Sequence, residues 1–334
     1  MQRQIKLIKR PKGTPTYEDF ELVEGPIGEP SAGEILVRTV YISVDPYLRG
    51  RMNEGKSYIP PFGLNEVISS GVIGQVVESR SERFAKGDVV LGSLGWQEYS
   101  VVKDSSVRKV DQHLAPASAY LSVLGMTGLT AYFGLLDIGK PKEGETVVVS
   151  GAAGAVGSTV GQIAKIKGAR VVGIAGSDEK VKFLVDELGF DAAINYNTED
   201  VATALREACP NGIDVYFENV GGKIGDAVFP LLNNFARIPV CGAISGYNNA
   251  EGDVGPRVQS YLIKTSSLMQ GFTVGNYGSR FGEGARELAG WLKEGKLKYE
   301  ETITEGFDHT IDAFLDLFKG ANLGKALVKV AEIE

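Results

Sequence analysis

The chain has 334 residues, 43% of them apolar and 23% charged, and its 42 acids and 35 bases leave a formal net charge of −7. That length and ordinary composition describe a globular protein of more than one domain, neither disordered nor fibrous. No run of Lys or Arg gathers positive charge, so nucleic acid is set aside as a partner, and no stretch of about 18 apolar residues suggests a membrane span.

The start, Met1 to Arg10, is basic but lacks the apolar centre of a secretory leader, and a cytoplasmic protein is expected. Two cysteines, Cys209 and Cys241, and two histidines, His113 and His309, lie too far apart for a disulfide framework or a clustered zinc site. Metal-free chemistry is the expectation.

The region from Ile35 to Val110 alternates short β-rich runs with turn residues: Ile35 to Val40, Gly71 to Val77, Asp88 to Leu91 and Glu98 to Val102. Closely spaced strands of this kind predict a β-barrel or sandwich. After Ala115 the spacing changes, and Ser118 to Gly125 and Gly128 to Leu136 carry the pattern of buried helices.

From Glu145 onward apolar strands alternate with helices. The strands are predicted at Thr146 to Ser150, Arg170 to Ala175, Ala192 to Asn195, Ile213 to Phe217, Ala236 to Val240 and Met269 to Val274, with the first two helices at Ala155 to Lys167 and Glu179 to Leu188. Six buried strands separated by helices are the sequence form of a doubly wound parallel α/β sheet of the Rossmann type. The tail loses this rhythm, and Leu327 to Val330 reads as a strand able to return to the first domain.

The first strand of the series runs into Gly151-Ala152-Ala153-Gly154-Ala155-Val156-Gly157, which opens a helix. Small residues at Gly154, Ala155, Val156 and Gly157 let the backbone approach a pyrophosphate, whose charge meets free N–H groups and the positive helix end. Proteins that bind NAD usually place an acid at the end of the second strand for the ribose 2′-OH. Here the strand ends in Gly176-Ser177, leaving room for a 2′-phosphate with Lys180 to neutralise it, and NADPH is the expected cofactor. Asp178 is read as the helix cap.

With those motifs in view, the chain resembles the medium-chain dehydrogenases and reductases, and within them the zinc-free prostaglandin, leukotriene and 2-alkenal reductases. The resemblance rests on Val44-Asp45-Pro46-Tyr47-Leu48-Arg49-Gly50-Arg51-Met52, Gly125 to Tyr132, the glycine turn, Gly176 to Lys180, Phe217-Glu218-Asn219-Val220-Gly221-Gly222, Cys241 to Ser245 and Asn322 to Lys325. It implies a GroES-like domain at 1–125, completed by 298–334, and a Rossmann domain at 126–297. It further implies that Lys180 and Tyr196 contact the 2′-phosphate and that Asn219, Cys241, Gly242, Ala243, Ile244, Ser245 and Tyr247 follow the cofactor toward its nicotinamide. Phe272, Thr273, Val274 and Asn322 would complete that wall, with Met126 and Thr130 nearby. The Cys and Gly-His-Glu ligands of the zinc-dependent relatives are missing: Ser43 to Tyr47 and Ser70 to Gly74 stand near those places.

Hydride transfer without a metal suits an acceptor that needs only modest polarisation, such as an α,β-unsaturated carbonyl (an enal or enone), whose enolate a hydrogen-bond donor stabilises. Tyr47 is the first candidate donor because the resemblance places its Asp-Pro-Tyr stretch against the nicotinamide; Tyr261, just before the sixth strand, is the second. Arg49 and Arg51 either bind an acidic substrate or pair with surface acids. A quinone reductase using the same cofactor site, and a non-catalytic NADP-binding protein of crystallin type, are the competing readings. A sixth strand at the sheet edge predicts a homodimer.

Overall fold

The computed structural model describes residues 1–334. The chain divides into two compact units, one of Met1–Leu121, Glu301–Asn322 and Ala326–Glu334, the other of Ser122–Glu300 with Leu323–Lys325. In the first unit, β1 (Gln2–Leu7), β2 (Phe20–Gly25), β3 (Glu34–Ser43), α1 (Leu48–Arg51), β4 (Glu66–Val67), β5 (Ser69–Ser79), β6 (Val89–Gly95), β7 (Tyr99–Lys103) and β8 (Val107–Lys109) follow one another. The second unit runs through α2 (Met126–Phe133), β9 (Thr146–Ser150), α3 (Ala155–Ile166), β10 (Arg170–Ala175), α4 (Asp178–Lys182), β11 (Ala192–Asn195), α5 (Val201–Ala208) and β12 (Ile213–Phe217). It continues with α6 (Gly222–Val228), β13 (Leu232–Val240), α7 (Gln259–Thr265), β14 (Leu268–Gly271) and α8 (Phe281–Lys293), after which come β15 (Glu301–Glu305), α9 (Thr310–Asp316) and β16 (Lys325–Lys329).

The first unit is organised around β3, in a sheet of order β15-β16-β3-β5-β6-β8 with β7 also on β3. Glu34 to Arg38 pair with β7 and Tyr41 to Ser43 with β16, both antiparallel, so one strand serves two partners along its length. Register shifts against β5 after Leu36 and Thr39 bend it. Gly74 on β5 permits the bend: a Cβ there would stand 2.7 Å from the Arg38 carbonyl oxygen. The core beneath is aromatic, with Trp96 and Phe20 meeting Phe314 edge-on at 5.9 and 6.2 Å. The buried Trp96 indole donates to Ser70 Oγ at 2.9 Å, which removes the cost of its polar atom.

In the second unit the sheet order is β11-β10-β9-β12-β13-β14, with all five neighbouring pairs parallel. This is the doubly wound arrangement that the strand and helix alternation predicts, and its order reverses between β9 and β12. All five residues of β9 are buried, as a strand covered on both faces requires. One face packs Val148, Val172, Ile174, Tyr216 and Ile238 with Phe229 and Leu205.

Three local expectations are corrected. Ser118 to Gly125 does not form a helical run: a 3-10 turn covers Ala117–Leu121 and α2 begins only at Met126, because Gly128 presses against the Val123 carbonyl, where a Cβ would lie at 1.8 Å. α2 and α4 each pass into a π-helical turn, Gly134–Gly139 and Phe183–Glu187. The sixth strand stops at Gly271, since Thr273 forms a capping box with Asn276 that starts a 3-10 turn. No helix is long and apolar enough to cross a membrane.

Candidate functional site

At the end of β9 the chain turns through Gly151, whose φ of +58° suits glycine, and enters α3 with Gly154 as its N-cap. Ser158 N donates to Gly154 O across this cap at 3.0 Å, and Gly154 has no side chain to cap the amides of Ala155, Val156 and Gly157. Those amides form the positive end of the helix, an environment that suits an anion. Gly157 is required by packing, because a Cβ would sit 2.3 Å from the Gly151 carbonyl oxygen. At Gly154 a Cβ would meet only that same oxygen, at 3.3 Å, so this glycine keeps open the approach from outside. That opening in front of the helix amides fits a pyrophosphate.

The end of β10 shapes the adjoining part. Ser177 is the N-cap of α4, its Oγ accepting from the Lys180 amide at 3.2 Å. This corrects the reading of Asp178 as cap: Asp178 instead accepts from Asn195 Nδ2 at 2.7 Å. Lys180 is half-buried, and burial holds its ammonium below the usual lysine range despite the opposing charge of Glu179. Tyr196 lies over Gly176, where a Cβ would come within 2.7 Å of the phenol oxygen. Asn197 Nδ2 donates to the Gly176 carbonyl at 2.7 Å. Gly176, Ser177, Lys180 and Tyr196 are thus brought together beside a neutral strand end, the arrangement a 2′-phosphate fits.

Across the sheet reversal, Asn219 follows β12 and is tied to β9 twice: its amide donates to Ser150 Oγ at 2.9 Å and its Nδ2 to the Ser150 carbonyl at 2.8 Å. The segment after β13 locks onto it, with Ile244 N donating to Asn219 O at 3.2 Å and Ser245 Oγ to Val220 O at 2.6 Å. Gly242 leaves room for the Tyr247 hydroxyl, which accepts from Ala243 N at 3.3 Å. Burial pushes the Cys241 thiol up to about 12, so it is a neutral group at physiological pH. Phe272 lies past the strand with its ring edge-on to Phe217 at 6.2 Å, filling the space left by Gly134. Thr130 Oγ1 is turned back to the Met126 carbonyl at 2.7 Å, and Met126 is exposed. Val274 opens the 3-10 turn that Thr273 caps.

Tyr47 and Asn322 belong to the first unit. Tyr47 immediately precedes α1 and is partly buried against that unit's core. Burial, and then the charge of Asp45, pushes its phenol well above the usual tyrosine range, with Arg51 opposing. Arg49 and Arg51 both make contacts within the first unit. The Arg49 guanidinium is 3% exposed as a residue and donates to the carbonyls of Pro11 and Gly13 and to Asn53 Oδ1. Arg51 donates to the Pro60 carbonyl at 3.0 Å and lies 3.9 Å over the Phe62 ring. Tyr261, on α7, packs its ring 6.1 Å from Phe229 against the core of the second unit.

Three residues that shape the site were not singled out from the sequence. Ser150 and Glu218 hold the ends of β9 and β12 together, Ser150 Oγ donating to Glu218 Oε1 at 2.8 Å. Gly324 donates to the Ala153 carbonyl at 2.8 Å, bracing the glycine turn from a distant segment. Glu218 and Gly324 sat inside motifs that carried the family resemblance, which was the available signal.

The chain is similar to known oxidoreductases over nearly its whole length. Residues 3–110 match a family described as N-terminal domain of oxidoreductase, and residues 155–290 match one described as zinc-binding dehydrogenase. A Bacillus subtilis protein named as an NADP-dependent oxidoreductase, YfmJ, is 66% identical over 99% of this chain and 98% of its own length. The NADPH-dependent curcumin reductase of Escherichia coli is 47% identical, over 98% and 97%. The crystal structure of CurA in complex with NADPH from Vibrio vulnificus superposes with a TM-score of 0.95 at 48% identity, covering 99% of both chains.

Proposed function

The chain belongs to the zinc-independent branch of the medium-chain dehydrogenases and reductases, and from that premise we propose that it reduces the C=C bond of α,β-unsaturated carbonyl compounds. It is an NADP-dependent oxidoreductase and NADPH is its cofactor. The Ala155, Val156 and Gly157 amides would hold the pyrophosphate, and Ser177, Lys180 and Tyr196 the 2′-phosphate. Asn219, the 241–247 segment and Phe272 to Val274, with Met126, Thr130 and Asn322, would surround the nicotinamide end. Bound there, NADPH supplies the hydride that the substrate takes at its β-carbon.

The observation that carries the reading is the Tyr47 phenol, which burial keeps protonated. A neutral donor aimed at a carbonyl oxygen gains strength as negative charge collects there, which is the differential binding that lowers a barrier. Tyr47 donates a hydrogen bond to the substrate oxygen as it becomes an enolate oxygen, and a proton taken from water at the α-carbon re-forms the carbonyl and completes the saturated product. Tyr261, packed against Phe229, is the weaker candidate for this role. The protein works as a cytoplasmic homodimer, its edge strand β14 offering unpaired backbone groups to a second copy.

A steady-state panel of enals, enones and quinones with NADPH tests the substrate class. Turnover of enones and enals above quinones is expected; a preference for quinones, or no NADPH oxidation with any of them, overturns the proposal.

A further inference from the structure

Glu218 is 4% exposed and stands at the sheet reversal, beside the turn expected to receive a doubly charged pyrophosphate. A buried carboxylate is costly unless its lone pairs are satisfied, and next to a phosphate site it adds like-charge repulsion. Its bonding explains what offsets these costs. Oε1 accepts from Ser150 Oγ, Val220 N and Gly221 N, each at 2.8 Å. The Glu218 carbonyl accepts from Cys241 N at 2.9 Å and Gly242 N at 3.1 Å, and its amide donates to the Pro239 carbonyl at 3.0 Å. One residue therefore fastens β9, the loop after β12 and the segment after β13.

The consequence reaches the loop's other side. With the Val220 and Gly221 amides turned inward to the carboxylate, the Asn219 and Val220 carbonyls receive Ile244 N, Ser245 N and Ser245 Oγ. Residues 219–221 form a strut with amides held on one side and carbonyls on the other. The conformation needs glycine at Gly221, with φ +71°, and at Gly222, where a Cβ would stand 2.8 Å from Ser245 Oγ.

We propose that Glu218 is a positioning residue whose carboxylate sets the 219–221 strut, and through it the 241–247 segment, in the conformation that receives the nicotinamide half of NADPH. The inference rests on the cofactor reading above, and the residue touches no reacting atom. Its contribution is to preset two loops before the dinucleotide arrives, so that binding does not pay for ordering them.

The test is direct titration of the purified protein with NADPH, followed by fluorescence, beside steady-state kinetics for wild type, Glu218→Ala and Glu218→Gln. The glutamine keeps an acceptor oxygen for the two amides and is expected to hold the NADPH Kd within about twofold, whereas the alanine leaves those buried donors without their acceptor and weakens it about tenfold. In the alanine variant KM for NADPH should rise in step with Kd while KM for the enone moves less than about twofold. If Glu218→Ala binds NADPH like wild type, or Glu218→Gln is as weak as the alanine, the positioning role is wrong. Should Glu218→Ala not fold, Ser150→Ala, which removes one donor to the carboxylate, must weaken NADPH binding measurably or the proposal fails. Failure of wild type to bind NADPH would instead refute the cofactor reading.

Discussion

The Gly324 amide donates to the Ala153 carbonyl at 2.8 Å, and the two stretches form a parallel bridge between Gly154 and Gly324. The glycine turn after β9 is therefore held by a segment more than 150 residues away in the chain. Gly324 has φ +65°, and a Cβ there would lie 2.0 Å from the Glu300 carbonyl oxygen, so no side chain fits without moving backbone. Gly324→Ala should cost about 1–3 kcal/mol of stability, the scale of a strained non-glycine residue, and weaken NADPH binding with it. Thermal unfolding and a binding titration check both. A fall in melting temperature with unchanged NADPH affinity would show that the brace does not reach the turn.

Lys180→Ala tests the choice of cofactor. Lys180 shares the first turn of α4 with the Ser177 cap, beside a strand end that lacks the acid expected for a free ribose hydroxyl. Loss of a charge-assisted bond to a 2′-phosphate is worth about 1.5–3 kcal/mol, so KM for NADPH should rise roughly tenfold or more. KM for NADH should stay near wild type, because NADH has nothing for the ammonium to meet. Equal effects on the two cofactors would remove Lys180 from phosphate recognition.

The parallel sheet was legible because β9 and β10 are near-continuous apolar runs separated by a helix of clear period, a pattern with few structural solutions. The glycine turn was legible for the same reason, since its place between strand and helix gives it meaning. What the sequence concealed depends on long-range partners. Ser177 and Asp178 are both good N-caps, and only the position of Asn195 across the β10–β11 pair decides which is free to cap. For Arg49 the sequence leaves open an acidic substrate or a surface acid, and the carbonyls of Pro11 and Gly13 that surround it come from well before it in the chain. Glu218 reads as an ordinary acid at a strand end, and its burial follows from Ser150 on the neighbouring strand.

Tyr47→Phe separates chemistry from binding. Removing one donor to a developing oxyanion typically costs about 10²–10³ in rate, and a loss of that order in kcat for enone reduction is expected with NADPH affinity unchanged. Since burial raises the phenol above the usual tyrosine range, wild type should show no loss of rate from its deprotonation up to about pH 10. Tyr261→Phe should keep most of the activity, its ring packing being retained. Full activity of Tyr47→Phe would exclude Tyr47 as the donor, and a large loss in Tyr261→Phe would transfer the role to Tyr261.

The Glu145–Arg237 pair gives a prediction in pH. The two side chains meet at 2.5 Å and are 19% and 17% exposed, and Arg237 also donates to the carbonyls of Gly139 and Lys140. Burial pushes the Glu145 carboxyl up, but the hydrogen bonds from Arg237 and the Lys142 amide outweigh it and leave the group below the usual carboxylate range. A carboxyl whose folded pKa lies below its unfolded value contributes stability above the unfolded value, about 4.3 for glutamate. That contribution is lost as the pH falls through the lower, folded value. Glu145→Gln should therefore be less stable than wild type at pH 7 by about 1–3 kcal/mol, the scale of a partly buried charged bond. The difference should shrink as the pH is lowered past about 4, because wild type then loses the same charge by protonation. Denaturant unfolding of both proteins between neutral and acid pH measures it, and a gap that stays constant or widens toward acid would show that the pair's electrostatics do not stabilise the fold.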